Sequence, residues 1–341
     1  MIYEDDVCRL ACSAEIPWEE IDGKTVVITG GTGLIGKLLA NVIIERNRQF
    51  DAGTHVALLA RNVNKQKSML DSDDGVQVIE WNAISDIVPN LSECDYILHC
   101  ASNTDSARMI SHPVDTSLTT INGTLAMLNL AIRTGARMVF VSSMEVYGKG
   151  SDRALDEHCG GELDSLNVRS CYPLSKQMAE NLCASFSAQF GVEVCIARLA
   201  QSFGPGISKD DKRVFAEFAR CCLAGRDIQL LTDGSKSNMY VYTADAVCAL
   251  LLLAARGTMG EAYNVANDAT FCSIYEMAQM VAEEFGPNTR VERNVDESAA
   301  KKYAVSGRIW LDTGKLRHLG WSASCSLRDM YARMIEDWSE Q

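Results

Sequence analysis

Short apolar runs recur through the first 200 residues. "KTVVITG" (24–30), "THVALLA" (54–60), "VQVIEW" (76–81), "DYILHCA" (95–101), "RMVFVSS" (137–143) and "VEVCIARL" (192–199) each have the length and apolar content of a buried strand. Between them lie stretches with helical period, among them "LIGKLLANVIIERN", 115–135 and 173–191. This alternation predicts an α/β protein with a doubly wound parallel sheet of Rossmann type. Right-handed crossovers then bring all the strand ends to one rim.

After residue 200 the rhythm changes. "FGPGISKDD" (203–211) reads as a loop, 212–225 as a helix, and "IQLL" as a short strand followed by a polar, hairpin-like stretch. "TADAVCALLLLAARG" (243–257) reads as a helix and "EAYNVAN" (261–267) as a strand, both returning to the main sheet. The remainder, 268–341, reads as small helices and loops. The expected organisation is a dinucleotide-binding domain over 23–200 with 241–267 returning to it. A smaller substrate lobe, interleaved in sequence, takes 201–240 and 268–341. Residues 1–22 form a helical-looking extension with no legible role. There is no internal repeat and no low-complexity linker.

Composition narrows the partners. Net charge is −13, which argues against nucleic acid and anionic membrane as ligands. The longest apolar stretch, "AVCALLLLAA" (246–255), is too short to span a bilayer. The acidic start lacks the apolar segment of a signal peptide, so the expected location is cytoplasmic. Thirteen cysteines are scattered without zinc-site spacing, and the five histidines do not cluster. No metal is implied, and the cysteines read as reduced, mostly buried side chains. Cys171 stands out only for its neighbour, Tyr172.

"TGGTGLIG" (29–36) follows a strand and opens a helix. Gly30 permits the tight turn, Gly33 lets the backbone approach a pyrophosphate, and Gly36 lets helix and strand pack closely. The second strand ends in "LLARNVNK", with Arg61 where an acid would hold the 2′-hydroxyl of NAD. Arg61, with Lys65, suits the 2′-phosphate of NADP. The other reading is a solvated helix start. NAD or NADP is therefore expected, with NADP favoured by Arg61.

"YPLSK" puts Tyr172 and Lys176 four apart at a helix start, on one face. An ammonium and a positive nicotinamide ring beside a phenol would lower its pKa and make it a usable base. Ser143, at the rim on the preceding strand, can bond the same substrate oxygen.

These segments, with "HCAS", "INGT", "SSMEVYG", "ARLAQSFGPG", "YVYTADAV" and "LGW", resemble the extended short-chain dehydrogenase/reductases. The likeness is to their NAD-dependent epimerase/dehydratase branch, and it covers residue 24 to about 335. "RSCY" and "DDKRVFAEF" (210–218) are similar to UDP-glucuronate decarboxylases, and dTDP-glucose 4,6-dehydratases also look alike. The resemblance implies a catalytic triad of Ser143, Tyr172 and Lys176, with Glu145 beside it. It implies cofactor contacts from Gly30, Thr32, Gly33, Leu34, Ile35 and Gly36. Arg61, Asn82, Ala83, Ala101, Ser102 and Asn122 would complete that surface, Asn122 supporting the lysine through water. Gln201, Arg213 and Arg308 fall at substrate positions, the two arginines at phosphates. A homodimer through a four-helix bundle of 115–135, 173–191 and their mates is expected, because these helices carry apolar residues on more than one face.

The departures lie on the substrate side. Family members place Asp or Ser where this chain has Met144, and a thioether has no proton to give. Glu145 is then left to act on the sugar's C5 region, or to serve as a turn carboxylate. Gln201 replaces an asparagine. Asn238-Met239 replaces an Arg-Asp pair, with Lys236 as the substitute cation, and Asn82 replaces an acid. Three functions fit: a nucleotide-sugar enzyme working through a 4-keto intermediate with a recycled cofactor, an NADPH-dependent carbonyl reductase, or a non-catalytic dinucleotide sensor.

Overall fold

The computed structural model describes residues 1–67, 75–85, 87–295 and 307–340. The first element is an N-terminal helix α1 (Ile2–Ala11), followed by the short α2 (Trp18–Ile21). The sheet begins with β1 (Thr25–Thr29), α3 (Leu34–Phe50), β2 (His55–Ala60), α4 (Val63–Lys67) and β3 (Val76–Glu80). It continues through β4 (Tyr96–His99), α5 (Ser106–Ser111), α6 (Pro113–Thr134), β5 (Arg137–Ser143), α7 (Cys171–Phe190) and β6 (Val194–Leu199).

Beyond β6 come β7 (Gln201–Phe203), α8 (Val214–Leu223), β8 (Ile228–Leu230), β9 (Ser237–Tyr242), α9 (Thr243–Arg256) and β10 (Ala262–Val265). The chain ends with β11 (Asn267–Ser273), α10 (Ile274–Phe285), β12 (Val291–Arg293), α11 (Gly314–His318) and α12 (Leu327–Glu340).

Seven strands form one parallel sheet in the order β10-β6-β5-β4-β1-β2-β3. The strand order reverses between β1 and β4, and ligands of doubly wound sheets bind at such a reversal. Val26, Val27, Ile28, Leu58, Leu98 and Phe140 on its inner strands are all buried, as a sheet covered on both faces requires. The return of α9 and β10 to this sheet follows the apolar pattern.

The second part of the chain departs from the pattern. Residues 237–242 are not part of a polar hairpin. They form the wholly buried β9, paired parallel with β7 and antiparallel with β11. Nor is 268–341 only small helices and loops. It contributes most of β11, then β12 paired with β8, and helices of 12 and 14 residues. Ser237 and Asn238 gave this strand a polar look, yet both are buried.

Candidate active site

At the cofactor end the site is made of backbone. Gly30 turns with φ 73°, and Gly33 N–H closes the turn on the Gly30 carbonyl at 2.9 Å. A Cβ at Gly36 would fall on that carbonyl, and one at Gly30 would meet Ala101 N at 3.0 Å. β1 and β4 are pinned together just below: the Thr29 hydroxyl accepts from Ala101 N–H at 2.9 Å and meets His99 Nδ1 at 2.8 Å. Burial, then the Lys176 charge, hold His99 down to about 3, so it is a neutral imidazole. Its Nε2 and the Ser102 hydroxyl are buried without a hydrogen-bond partner.

The first turn of α3 has no side-chain cap and keeps its N–H groups free for an anion. A cradle this tight and two orphaned polar atoms beside it fit a dinucleotide. Leu34 and Ile35 are half-buried at the start of α3, and Thr32 is exposed in the turn. Arg61 is exposed at the end of β2, on a cleft of about 260 Å³ lined also by Glu80, Trp81, Asn82, Ser85 and Ile87. Asn122 on α6 donates to the Ile84 carbonyl at 2.6 Å, holding the loop of Asn82 and Ala83.

At the other end side chains do the work. β5 runs out at Ser143, whose hydroxyl accepts from Glu145 N–H at 3.2 Å and caps a 3-10 turn, Met144–Tyr147. The turn directs Met144 into the core and leaves Glu145 at the rim. Met144 is thus a packing residue. The Ser143 hydroxyl stands close enough to the Tyr172 phenol to favour its ionised form. One turn further along α7, Lys176 is buried and donates to the Val141 carbonyl at 2.6 Å. Its ammonium lies 4.7 Å from the Phe140 ring centre and 5.9 Å from that of Tyr172. Burial pulls Lys176 down to about 8.

In the protein alone, nearby positive charges do not bring the Tyr172 phenol down. Burial first, and Glu145 second, push it well up, against the opposing pull of Ser143, Arg169 and Arg213. Helical spacing supplied the lysine neighbour but not the depth of the pocket. Cys171 is not activated either: burial raises the thiol, which points to the Met109 carbonyl at 3.4 Å.

Glu145 is held by Arg169, Nη2 to Oε2 at 3.2 Å, with both side chains mostly covered. Arg169 sits on the 3-10 turn Val168–Ser170 directly before α7. Sequence reasoning passed over it, although "RSCY" was the available signal. Lys236 faces the same pair: burial lowers its ammonium, Glu145 raises it and Arg169 lowers it. Arg213, at the start of α8, is paired with Asp211 at 2.7 Å over the Phe215 ring, and its charge reaches Tyr172. Gln201 opens β7 opposite Tyr240. Arg308 is exposed, bridged through its backbone to Gly150 and Ser237, with its guanidinium over Phe271.

A second cluster also escaped the sequence reading. Glu180 accepts from the Ser142 hydroxyl at 2.5 Å and from Arg198 at 2.7 Å, and Arg198 reaches the Tyr147 hydroxyl at 2.8 Å. It lies beneath the catalytic strand and ties β5, α7 and β6 together. Among the described residues, no group of His, Cys, Asp or Glu is placed to hold a metal. No helix there is long and apolar enough to cross a membrane.

Comparison with known proteins places the chain in a family. UDP-glucuronic acid decarboxylase 1 of Arabidopsis thaliana is 30% identical over 319 residues, covering 92% of this chain and 69% of its own. Two solved structures share the fold, each with a TM-score of 0.78. A dTDP-glucose 4,6-dehydratase of Streptomyces venezuelae, with NAD and TYD bound, is 24% identical and covers 93% of this chain and 97% of its own. An epimerase of Methanothermobacter thermautotrophicus is 22% identical and covers 95% and 94%. Residues 26–266 match the NAD dependent epimerase/dehydratase family. With its glycine turn, its Ser143–Tyr172–Lys176 rim and this match along most of its length, the chain belongs to the NAD-dependent epimerase/dehydratase family.

Proposed function

We propose that the protein modifies a nucleotide-linked sugar through a 4-keto intermediate, with a nicotinamide cofactor that is recycled. One observation carries this reading: Ser143 at the end of β5 faces Tyr172, and the buried Lys176 ammonium lies 5.9 Å from the Tyr172 ring centre. Tyr172 takes the proton of the sugar 4-hydroxyl while Ser143 holds the same oxygen. When bound, an oxidised nicotinamide would accept hydride from C4, return it later, and set a positive ring beside the phenol. A ketone at C4 acidifies C5, and Glu145, aimed by Arg169, works there. A carboxylate at C5 would leave as CO2, and a proton would become mobile. Met144 supplies no acid for a leaving hydroxyl.

The relatives support a nucleotide-sugar substrate, and so does Arg213, because a small ketone has no phosphate to neutralise. In this reading residues 23–200 and 241–267 hold the cofactor, while 201–240 and 268–341 hold the sugar nucleotide. Gly30, Gly33, Gly36 and Ala101 would form the cofactor cradle, and Gln201, Arg213 and Arg308 the substrate side. Exposed Val114, Ile132, Met178 and Phe190 on α6 and α7 support a homodimer through a four-helix bundle. Sedimentation at micromolar concentration is expected to give a dimer, and a monomer alone would remove this part.

The test of function is single-turnover absorbance at the reduced-nicotinamide band with UDP-glucuronate, UDP-glucose and dTDP-glucose. At least one is expected to reduce the bound cofactor. If none does, while a small ketone is turned over with NADPH, the carbonyl-reductase reading replaces this one.

A further inference from the structure

The N-terminal extension, outside the matched family segment, reaches both sides of the active-site crevice. Tyr3 is buried on α1. Its hydroxyl accepts from Asn41 of α3 at 3.2 Å, and Lys37 of α3 lies 4.7 Å from its ring centre. The opposite neighbour is Gly206, in the loop between β7 and α8. A Cβ there would come within 3.2 Å of the Tyr3 ring and 3.5 Å of Leu34, the first residue of α3. Tyr3 is therefore wedged between the helix of the glycine turn and the loop that runs to Arg213.

Asp6, one turn further along α1, is also buried. It accepts from the Tyr242 hydroxyl and from Arg333 of α12 at 3.0 Å, and Arg333 reaches the same hydroxyl at 2.6 Å. The Tyr242 ring lies against Gly204, 2.7 Å from where a Cβ would stand. The two glycines of "FGPG" thus each face a tyrosine fixed by α1, one belonging to it and one bonded to it. From the far side α12 completes the grip: Asp337 accepts from Gly206 N–H at 3.0 Å, and Trp338 donates to the Ile207 carbonyl at 2.7 Å.

We propose that α1 is a strap that sets the substrate loop against the cofactor helix, with Tyr3 as wedge and Asp6 as latch. Both are positioning residues, since neither touches the Ser143–Tyr172–Lys176 rim. They act through residues 204–213 on Arg213, whose charge reaches Tyr172 and which the proposed function assigns to a substrate phosphate. The ligand this device governs is therefore the nucleotide diphosphate, and that part rests on the proposed function. The cofactor end needs only Gly30, Gly36 and Ala101, and should feel little.

The experiment uses the full chain with Tyr3→Ala, Tyr3→Phe and Asp6→Asn. Hydrogen exchange of the 204–212 amides is measured without ligand, and UDP, dTDP and NAD binding by calorimetry. Tyr3→Ala and Asp6→Asn should speed exchange in 204–212 at least about tenfold and weaken UDP about tenfold, with NAD within twofold. Tyr3→Phe keeps the ring in the wedge and should restore both readings. Unchanged exchange in 204–212, or equal weakening of UDP and NAD, overturns the strap. Faster exchange in a family of variants whose parent binds neither UDP nor dTDP leaves the strap standing and removes the nucleotide-sugar reading.

Discussion

The two ends of the active-site rim are built by different means. The proposed cofactor end is backbone against backbone: Gly30 and Gly36 on one turn, Ala101 just past the end of β4, and Thr29 stitching the two. The proposed substrate end is charge against charge, drawn from separate segments: Glu145, Arg169, Arg213 and Lys236. A backbone-built site demands one residue type at fixed spacing, so it tolerates little change. A charge-built site can be rearranged by swapping side chains on a constant frame. This explains how one chain carries a family-type glycine turn and a substrate pocket with Met144, Gln201 and Asn238 in unexpected places.

The largest effect should come where the two ends meet. Tyr172→Phe removes the hydroxyl that Ser143 faces, on a ring whose centre lies 5.9 Å from the Lys176 ammonium. Single-turnover cofactor reduction should fall by about 10³-fold, as for loss of a positioned base, with cofactor binding within a few-fold. A variant that still reduces the cofactor at a tenth of the parent rate would move the proton acceptor elsewhere.

Next are the charges of the substrate end alone. Glu145→Gln should leave the first hydride step intact and slow turnover by about 10²-fold. Reduced cofactor or a 4-keto sugar should accumulate. Arg169→Met should do the same to a smaller extent, because it frees Glu145 to swing and leaves it beside Lys236. If either variant blocks the first step as strongly as Tyr172→Phe, the division between oxidation and the C5 step is wrong.

What could be read in advance follows the same division. The parallel sheet, α9, β10 and the glycine turn were legible because each is encoded by neighbours in sequence. β9 was missed because Ser237 and Asn238 look polar until β7 and β11 cover them. Arg169 lay in a quoted motif, but its partner Glu145 is 24 residues away. The extension was legible as helix and illegible in role, since Asp6 meets Tyr242 and Arg333 across more than 200 residues. Tyr172 shows the electrostatic version: its lysine neighbour was encoded by spacing, whereas its burial depends on the whole fold.

Lys176 tests the cost of that burial. Burial pulls its ammonium down to about 8, against an ordinary lysine value of 10.5. Between these values the unfolded chain binds the extra proton, so this group's contribution to stability rises with pH over that window. Below pH 8 the charged form is buried at full cost. Lys176→Met should therefore raise unfolding free energy at pH 7 by roughly 2 kcal/mol while abolishing turnover, less whatever the unpaired Val141 carbonyl costs. The gain should shrink as pH approaches 10.5. Denaturant melts at pH 7 and pH 10 measure it, and a variant less stable at both would mean that the lysine is well solvated by its carbonyl and rings.

The smallest effect is expected at Arg61, where charge enters the backbone-built end. Arg61 is exposed, and Glu80 lines the same cleft, so no single charge dominates there. An exposed cation and a phosphate attract by about 1 kcal/mol or less. Arg61→Asp removes that attraction and adds a repulsion of similar size, while giving the 2′-hydroxyl of NAD an acceptor. The ratio of NADP to NAD affinity should therefore fall by about tenfold. It should fall less at 0.5 M salt than at 50 mM, because exposed charges are screened. If, as proposed, the Gly30–Gly36 turn holds the pyrophosphate common to both cofactors, the sum of the two affinities should barely move. Equal weakening of NAD and NADP would instead show that Arg61 shapes the cleft, with Trp81 and Asn82, and does not read the ribose. A ratio that shifts without salt dependence would assign the reading to the hydrogen-bond geometry of the new carboxylate and not to its charge.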